Sequence, residues 1–148
     1  MKVVGIIAEY NPFHKGHQFH LSRARELTGA DYVIVVMSGN YVQRGTPAMF
    51  DKYTRAEAAL RSGADLVLEL PVSVATGSAE YFASGAVKML TDTGIVTDLC
   101  FGSECGSLMD LQKLADILAE EPEKYQILLR KYLKEGMSFP AARAHAMK

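Results

Sequence analysis

Four short strand-like runs, each separated from the next by a stretch with helical spacing, constrain this chain more than any other feature of its sequence. They are residues 1–8, 32–37, 66–70 and 98–101. Runs of this length, rich in Val, Ile and Leu and bounded by glycine, proline or polar residues, fit buried strands better than helices. Between the first two, residues 16–28 carry Leu21, Ala24 and Leu27 at three-residue spacing and stop at Gly29, as a helix with a C-terminal glycine does. Asp51 can cap a second helix running to Leu60, and Ser78 a third running to Leu90. The alternation predicts a Rossmann-like α/β fold, a parallel sheet with right-handed crossovers and helices on both faces. The strand order expected is 3-2-1-4, which sets the fourth strand beside the first.

After Ser107 the strand signal ends. Leu108, Leu111, Leu114 and Leu118 mark one helix, and Pro122 opens another carrying Tyr125, Leu128, Leu129 and Tyr132. A last helix from Ser138 through Ala141, Ala142 and Ala144 reaches Lys148 without a stop signal. The expected organisation is an α/β domain over residues 1–106 and a helical extension over 107–148, the whole being part of a longer protein.

Composition excludes several classes. Hydrophobic residues make up 49% and charged residues 22%, which leaves no room for a disordered chain. No stretch approaches the roughly 20 apolar residues of a membrane helix, and the apolar start is too short for a leader. A formal net charge of -1 gives no basic signature, so a nucleic-acid partner would have to be held by a local patch or by a region outside this segment. Cys100 and Cys105 read as reduced thiols, which agrees with a cytoplasmic location. Oligomeric state is not legible.

In open α/β sheets, ligands sit beyond the carboxyl ends of the strands, and the loop after the first strand borders that crevice. Here that loop is residues 9–15. Pro12 stiffens it, Gly16 allows close backbone approach, and the helix that begins there turns unpaired N–H groups toward the crevice, which favours phosphate. His14 and His17 flank Gly16, so both imidazoles can face one phosphate. Where a carboxylate attacks the α-phosphorus of a nucleotide, donors so placed stabilise the charge growing on the phosphate oxygens. On residue types alone, the pair also fits a satisfied histidine pair at a helix start, or part of a zinc site with His20.

Other candidates are weaker. The loop of residues 38–50, with Asn40, Gln43 and Arg44, is long enough to close over a substrate or meet RNA. Lys52, Arg55 and Arg61 on the next helix can add positive charge for a triphosphate or a nucleic acid, Arg55 foremost, or form a solvated face. Glu69 interrupts an apolar strand, as a magnesium ligand or simply as a strand end in water.

The sequence His14-Lys15-Gly16-His17 resembles the HxGH signature of the nucleotidyltransferase superfamily. The longer string Glu9-Tyr10-Asn11-Pro12-Phe13-His14-Lys15-Gly16-His17-Gln18-Phe19-His20, with Met37-Ser38-Gly39-Asn40, Gln43-Arg44-Gly45, Glu69-Leu70-Pro71, Phe101-Gly102-Ser103-Glu104 and Gly136-Met137-Ser138-Phe139-Pro140, resembles the bacterial tRNA(Met) cytidine acetate ligases. That resemblance implies activation of acetate by ATP, with magnesium accompanying the nucleotide, and transfer of acetyl to N4 of the wobble cytidine of elongator tRNA(Met). It implies an ATP segment over Ile7, Ala8, Glu9, Tyr10, Asn11, Pro12, Phe13, His14, Lys15, Gly16, His17, Gln18, Phe19 and His20, a further contact at Gly102, and catalytic roles for His14 and His17. No metal ligand among these residues is implied. The family's remaining ATP-contacting asparagine and arginine fall beyond residue 148. A generic cofactor adenylyltransferase, or a nucleotide-binding module without turnover, shares the same signature and stays open.

Overall fold

The computed structural model describes residues 1–147 and divides into two compact units, Met1–Gly102 and a second beginning at Ser103. The first unit runs β1 (Val3–Ala8), α1 (Lys15–Thr28), β2 (Tyr32–Ser38), α2 (Lys52–Arg61), β3 (Leu66–Leu70), α3 (Val72–Ala75), α4 (Ala79–Asp92) and β4 (Asp98–Leu99). Its four strands form one sheet in the order β3-β2-β1-β4, with every pairing parallel. Gly5 of β1 lies opposite Ile34 of β2 on one side and Leu99 of β4 on the other.

Side-chain alternation along the strands builds two cores. Val4 and Ile6, with Val33, Val35 and Met37, face Leu21 and Ala24 of α1 and Ala59 of α2. The intervening residues Val3, Ile34 and Val36, with Leu70, face Phe82, Ala86 and Leu90 of α4. Because successive strand residues point to opposite faces, a central strand covered on both sides is apolar at nearly every position, which is why β2 reads as an uninterrupted run. Gly5 is small for a packing reason: a Cβ there would stand 2.8 Å from Leu90 Cδ1 and 3.2 Å from Val96 Cγ1.

The helix boundaries follow local chemistry. Asp51 Oδ1 accepts the N–H groups of Tyr53 and Thr54 at 2.9 and 3.0 Å, and Ser78 Oγ accepts that of Tyr81 at 3.3 Å. Gly29 closes α1 in a left-handed conformation (φ 64°) that a Cβ would disfavour.

Three features differ from expectation. Strand β4 is two residues long instead of four, because after the Cys100 N–H bonds to Gly5 O at 3.0 Å the chain leaves the sheet and Phe101 is exposed. The one-turn helix α3 follows Pro71, which carries no side-chain cap. Within the loop of residues 38–50, Gln43–Gly45 form a 3-10 turn, with Arg44 left-handed at φ 64° and a Tyr41–Pro47 bridge beside it.

The second unit contains α5 (Leu108–Glu120), α6 (Glu123–Lys134) and α7 (Phe139–Ala146). Ser107 Oγ accepts the Asp110 N–H at 3.3 Å, Pro122 precedes α6, and Tyr125, Ala142 and Ala146 are its buried residues. The division between Gly102 and Ser103 lies just before the anticipated 106/107 boundary. Among the described residues, no helix is long and apolar enough to cross a membrane.

Candidate active site

Strand β1 ends with the half-buried Ile7 and Ala8, and the chain then turns sharply at Tyr10, whose φ of 50° carries its ring into the interior. That ring supports the loop from beneath. Its centroid lies 4.8 Å from Phe13, edge to face, and 4.8 Å from His17. The floor of the site is therefore aromatic, and burial raises the Tyr10 phenol above its ordinary range.

On this floor the two histidines lie side by side. Their rings stack with centroids 3.7 Å apart and planes 24° from parallel. His14 is the N-cap of α1: its Nδ1 accepts the Gly16 N–H at 3.1 Å, while His17 Nδ1 accepts the His14 N–H at 3.3 Å. The two imidazoles thus close a reciprocal capping box in which histidines replace the usual Ser/Thr and Glu. Acceptance at Nδ1 requires that nitrogen to be unprotonated, which puts the proton on Nε2 in both rings. Each ring is left with one N–H to offer. Burial first, then neighbouring His14 and His20, lowers the pKa of His17, and burial lowers that of His20.

The helix start is less open than anticipated. The Gly16 N–H goes to His14 Nδ1, and the His17 and Gln18 N–H groups go to His14 O at 2.9 and 3.2 Å. Of the first-turn amides, the cap leaves Lys15 N–H uncommitted. In place of the bare row of backbone amides expected there, the helix start presents the two Nε2–H groups and the Lys15 N–H. Lys15, Gln18 and Phe19 are exposed on α1, and Pro12 and Phe13 are half-buried in the loop.

Across from the loop, Cys100 Sγ lies 3.7 Å from His20 Nε2, and Gly102 follows two residues later. Gly102 is exposed, does not need a positive φ, and a Cβ there would meet nothing within 4 Å. The fold itself makes no demand for glycine at 102. At Gly16, by contrast, a Cβ would press on the His14 ring at 3.0 Å.

The loop of residues 38–50 is strapped to the histidine loop. Glu9 Oε1 accepts the Gln43 N–H at 2.8 Å, and Asn11 Oδ1 accepts the Met49 N–H at 2.7 Å. One oxygen of each side chain is therefore committed to the scaffold. Asn40 Oδ1 accepts the Lys52 N–H at 3.0 Å.

Arg55 corrects the sequence reading. It was the leading candidate on α2 for a triphosphate or tRNA contact, yet it is 1% exposed. Its Nε donates to Phe50 O at 3.0 Å, Nη1 to Glu9 O at 2.5 Å and Nη2 to Gly39 O. Arg61 remains on the surface, paired with Glu57 at 2.6 Å. Glu69 is half-exposed and pairs with Lys52 at 2.6 Å beside Gly39, where a Cβ would collide with its carboxylate.

Sequence reasoning missed the tie between the two loops, because its carbonyl acceptors lie 46 and 16 residues from Arg55 and carry no side-chain signature. Among the described residues, no group of three or more His, Cys, Asp or Glu side chains is arranged to hold a metal ion. His20 lies beside Cys100, and both cysteines are free.

A family model described as HIGH Nucleotidyl Transferase matches residues 1–148. The tRNA(Met) cytidine acetate ligase of Acetivibrio thermocellus is 56% identical over 148 residues, which are 100% of this chain and 36% of that protein. The protein of the same name from Clostridium perfringens is 53% identical over 147 residues, covering 99% of this chain and 37% of its own length. A crystal structure of Thermotoga maritima TmcAL bound with alpha-thio ATP superposes with a TM-score of 0.94 at 57% identity, over 99% of this chain and 36% of that one. The chain spans little more than a third of the length of these relatives. With the strand order, the capped histidine loop and a family match that runs from end to end, the chain belongs to the HIGH nucleotidyl transferase family.

Proposed function

We propose that this chain is the ATP-binding part of a tRNA(Met) cytidine acetate ligase. The observation that carries the reading is the His14–His17 pair, whose Nδ1 atoms are both occupied by the cap and whose Nε2–H groups are both left for a ligand at a helix start. Identity above 50% to proteins of that name over the full chain supports the specific reaction.

ATP lies along residues 7–20, with its phosphates at the start of α1 and part of the nucleotide against the backbone of Gly102. Acetate attacks the α-phosphorus through a carboxylate oxygen, the bond to the bridging oxygen breaks, and pyrophosphate departs, leaving acetyladenylate. The two Nε2–H groups donate to phosphate oxygens as charge accumulates there, and both donors are in place before the reaction begins. His17, whose pKa burial lowers, donates from Nε2–H while its Nδ1 keeps its place in the cap. The N4 amine of the wobble cytidine of elongator tRNA(Met) then attacks the acetyl carbonyl, the acyl–oxygen bond to AMP breaks, and the nitrogen gives up a proton as AMP leaves. Magnesium would enter bound to the nucleotide's own phosphates, whose charge it would offset. We place the enzyme in the cytoplasm, where its tRNA is found.

ATP–pyrophosphate exchange, with acetate supplied or withheld, tests this. Exchange that requires acetate and is lost in His17→Ala supports it. Exchange driven by pantetheine phosphate or nicotinamide mononucleotide instead would make the chain a cofactor adenylyltransferase.

A further inference from the structure

Arg55 heads the large side chains that the fold buries completely, and its environment is unusual for a cation. Among the described residues no carboxylate forms an ion pair with it; all three of its nitrogens donate to main-chain carbonyls. Burial pulls its pKa down, while Asp51, Glu9 and Glu69 act from a distance in the opposite sense. Sequestering a guanidinium in this way is costly, and an apolar side chain of similar length would fill the same volume. What the apolar side chain lacks is a planar fork able to bind several acceptors at fixed angles.

The identity of those acceptors gives the fork its meaning. Glu9 O belongs to the residue that leads into the Tyr10 turn, Gly39 O follows directly on β2, and Phe50 O precedes the Asp51 cap of α2. One side chain therefore gathers the base of the histidine loop and both ends of the loop of residues 38–50. The straps from Glu9 to Gln43 and from Asn11 to Met49 join the same two loops at further points. Tyr10, whose backbone is set by this anchorage, in turn supports His17 at 4.8 Å.

We propose that Arg55 is a positioning residue for the nucleotide: it touches no ligand, but it fixes the Glu9–Tyr10 turn on which His14 and His17 stand, and it couples nucleotide binding to the loop of residues 38–50. The inference rests on the nucleotide reading above and deepens it. Two consequences distinguish it from a purely structural role. The fork matters as well as the charge, so lysine does not substitute. Binding at the histidine loop also stiffens a loop reached through Arg55 and the two straps.

The test uses the full-length protein and alpha-thio ATP as the probe, with no acetate present. Arg55→Lys and Arg55→Gln are titrated by calorimetry beside Leu90→Ala, which destabilises the opposite core and serves as a control for lost stability. Both Arg55 variants are expected to bind about tenfold more weakly or worse, with Leu90→Ala staying within about twofold of the parent. Arg55→Lys within about twofold of the parent, or Leu90→Ala weakening binding as much as the Arg55 variants, overturns the proposal. A second arm needs no variant: in the unaltered protein the probe should slow hydrogen exchange at the Gln43, Met49 and Lys52 amides. Protection confined to residues 7–20 and Gly102 overturns the coupling whether or not the Arg55 variants fold. Failure of the parent itself to bind the probe would defeat the nucleotide reading; normal binding by Arg55→Lys would defeat only this inference.

Discussion

Leu90 of α4 occupies the space that a side chain at Gly5 would need, with its Cδ1 only 2.8 Å from where that Cβ would stand. Gly5 is in the middle of β1, and Leu90 is 2% exposed, so neither the strand nor the methyl can move far.

Gly5→Ala should therefore cost about 1–3 kcal/mol through overpacking. Leu90→Val in the same chain should recover part of that loss, a non-additivity that urea denaturation of the two single variants and the double variant would reveal. Gly102→Ala is the contrasting case. With open space around it, the change should alter stability by less than about 0.5 kcal/mol. Its effect should fall on nucleotide affinity, measured by titration with an ATP analogue. Unchanged affinity in Gly102→Ala would remove that residue from the site.

His17→Ala removes one of the two Nε2–H donors and also the acceptor for the His14 N–H. Loss of one donor from a preorganised set lowers acetate-dependent exchange by about 10²–10³-fold. Because the Tyr10 ring and the rest of the α1 cap persist, circular dichroism should show the helices intact. A loss below about tenfold would mean that charge is stabilised elsewhere.

The histidine cap also predicts how stability responds to acid. His17 has a folded pKa below the ordinary value of 6.5, chiefly from burial, and the positive end of α1 acts in the same direction. Below 6.5 the unfolded chain binds a proton at His17 that the folded chain resists, so stability rises with pH in that window. The contribution is fully present above 6.5 and is lost as pH falls through the folded value. His20, lowered by burial, adds to the same trend. Urea midpoints followed downward from neutral pH should fall below 6.5, and His17→Gln should flatten the decline. An unchanged slope in that variant would assign the proton uptake to other groups.

Among the described residues, the buried Tyr10 hydroxyl has no hydrogen-bond partner. Tyr10→Phe keeps the ring that supports Phe13 and His17 and removes a desolvated polar group, so it should stabilise the fold by about 1 kcal/mol. A drop in thermal midpoint would show that the hydroxyl is satisfied in solution.

The frame of the first unit was legible because its signals are local. Asp51, Ser78 and Gly29 mark helix ends by chemistry that acts within three or four residues, and each stands where the sequence placed it. The strand order is the expected 3-2-1-4, which sets the fourth strand beside the first. The interior of the site was harder to read. Arg55 looks like any surface arginine in the first turns of a helix, and only the distant carbonyls of Glu9 and Gly39 reveal its burial. A satisfied histidine pair at a helix start is among the readings the spacing allows, but the reciprocal cap that His14 and His17 form is not visible in it, since histidine is uncommon in a capping box.

That cap limits how the histidine signature could be moved to another protein. The two imidazoles are oriented by the first turn of α1 and supported by Tyr10, and that turn of helix is terminated by the same two imidazoles. Grafting the four residues from His14 to His17 onto another sheet would leave the rings without a floor and the tautomers unassigned. The smallest portable module is residues 9–20, and a recipient scaffold would also have to supply a donor for the Glu9 carbonyl, which Arg55 provides here.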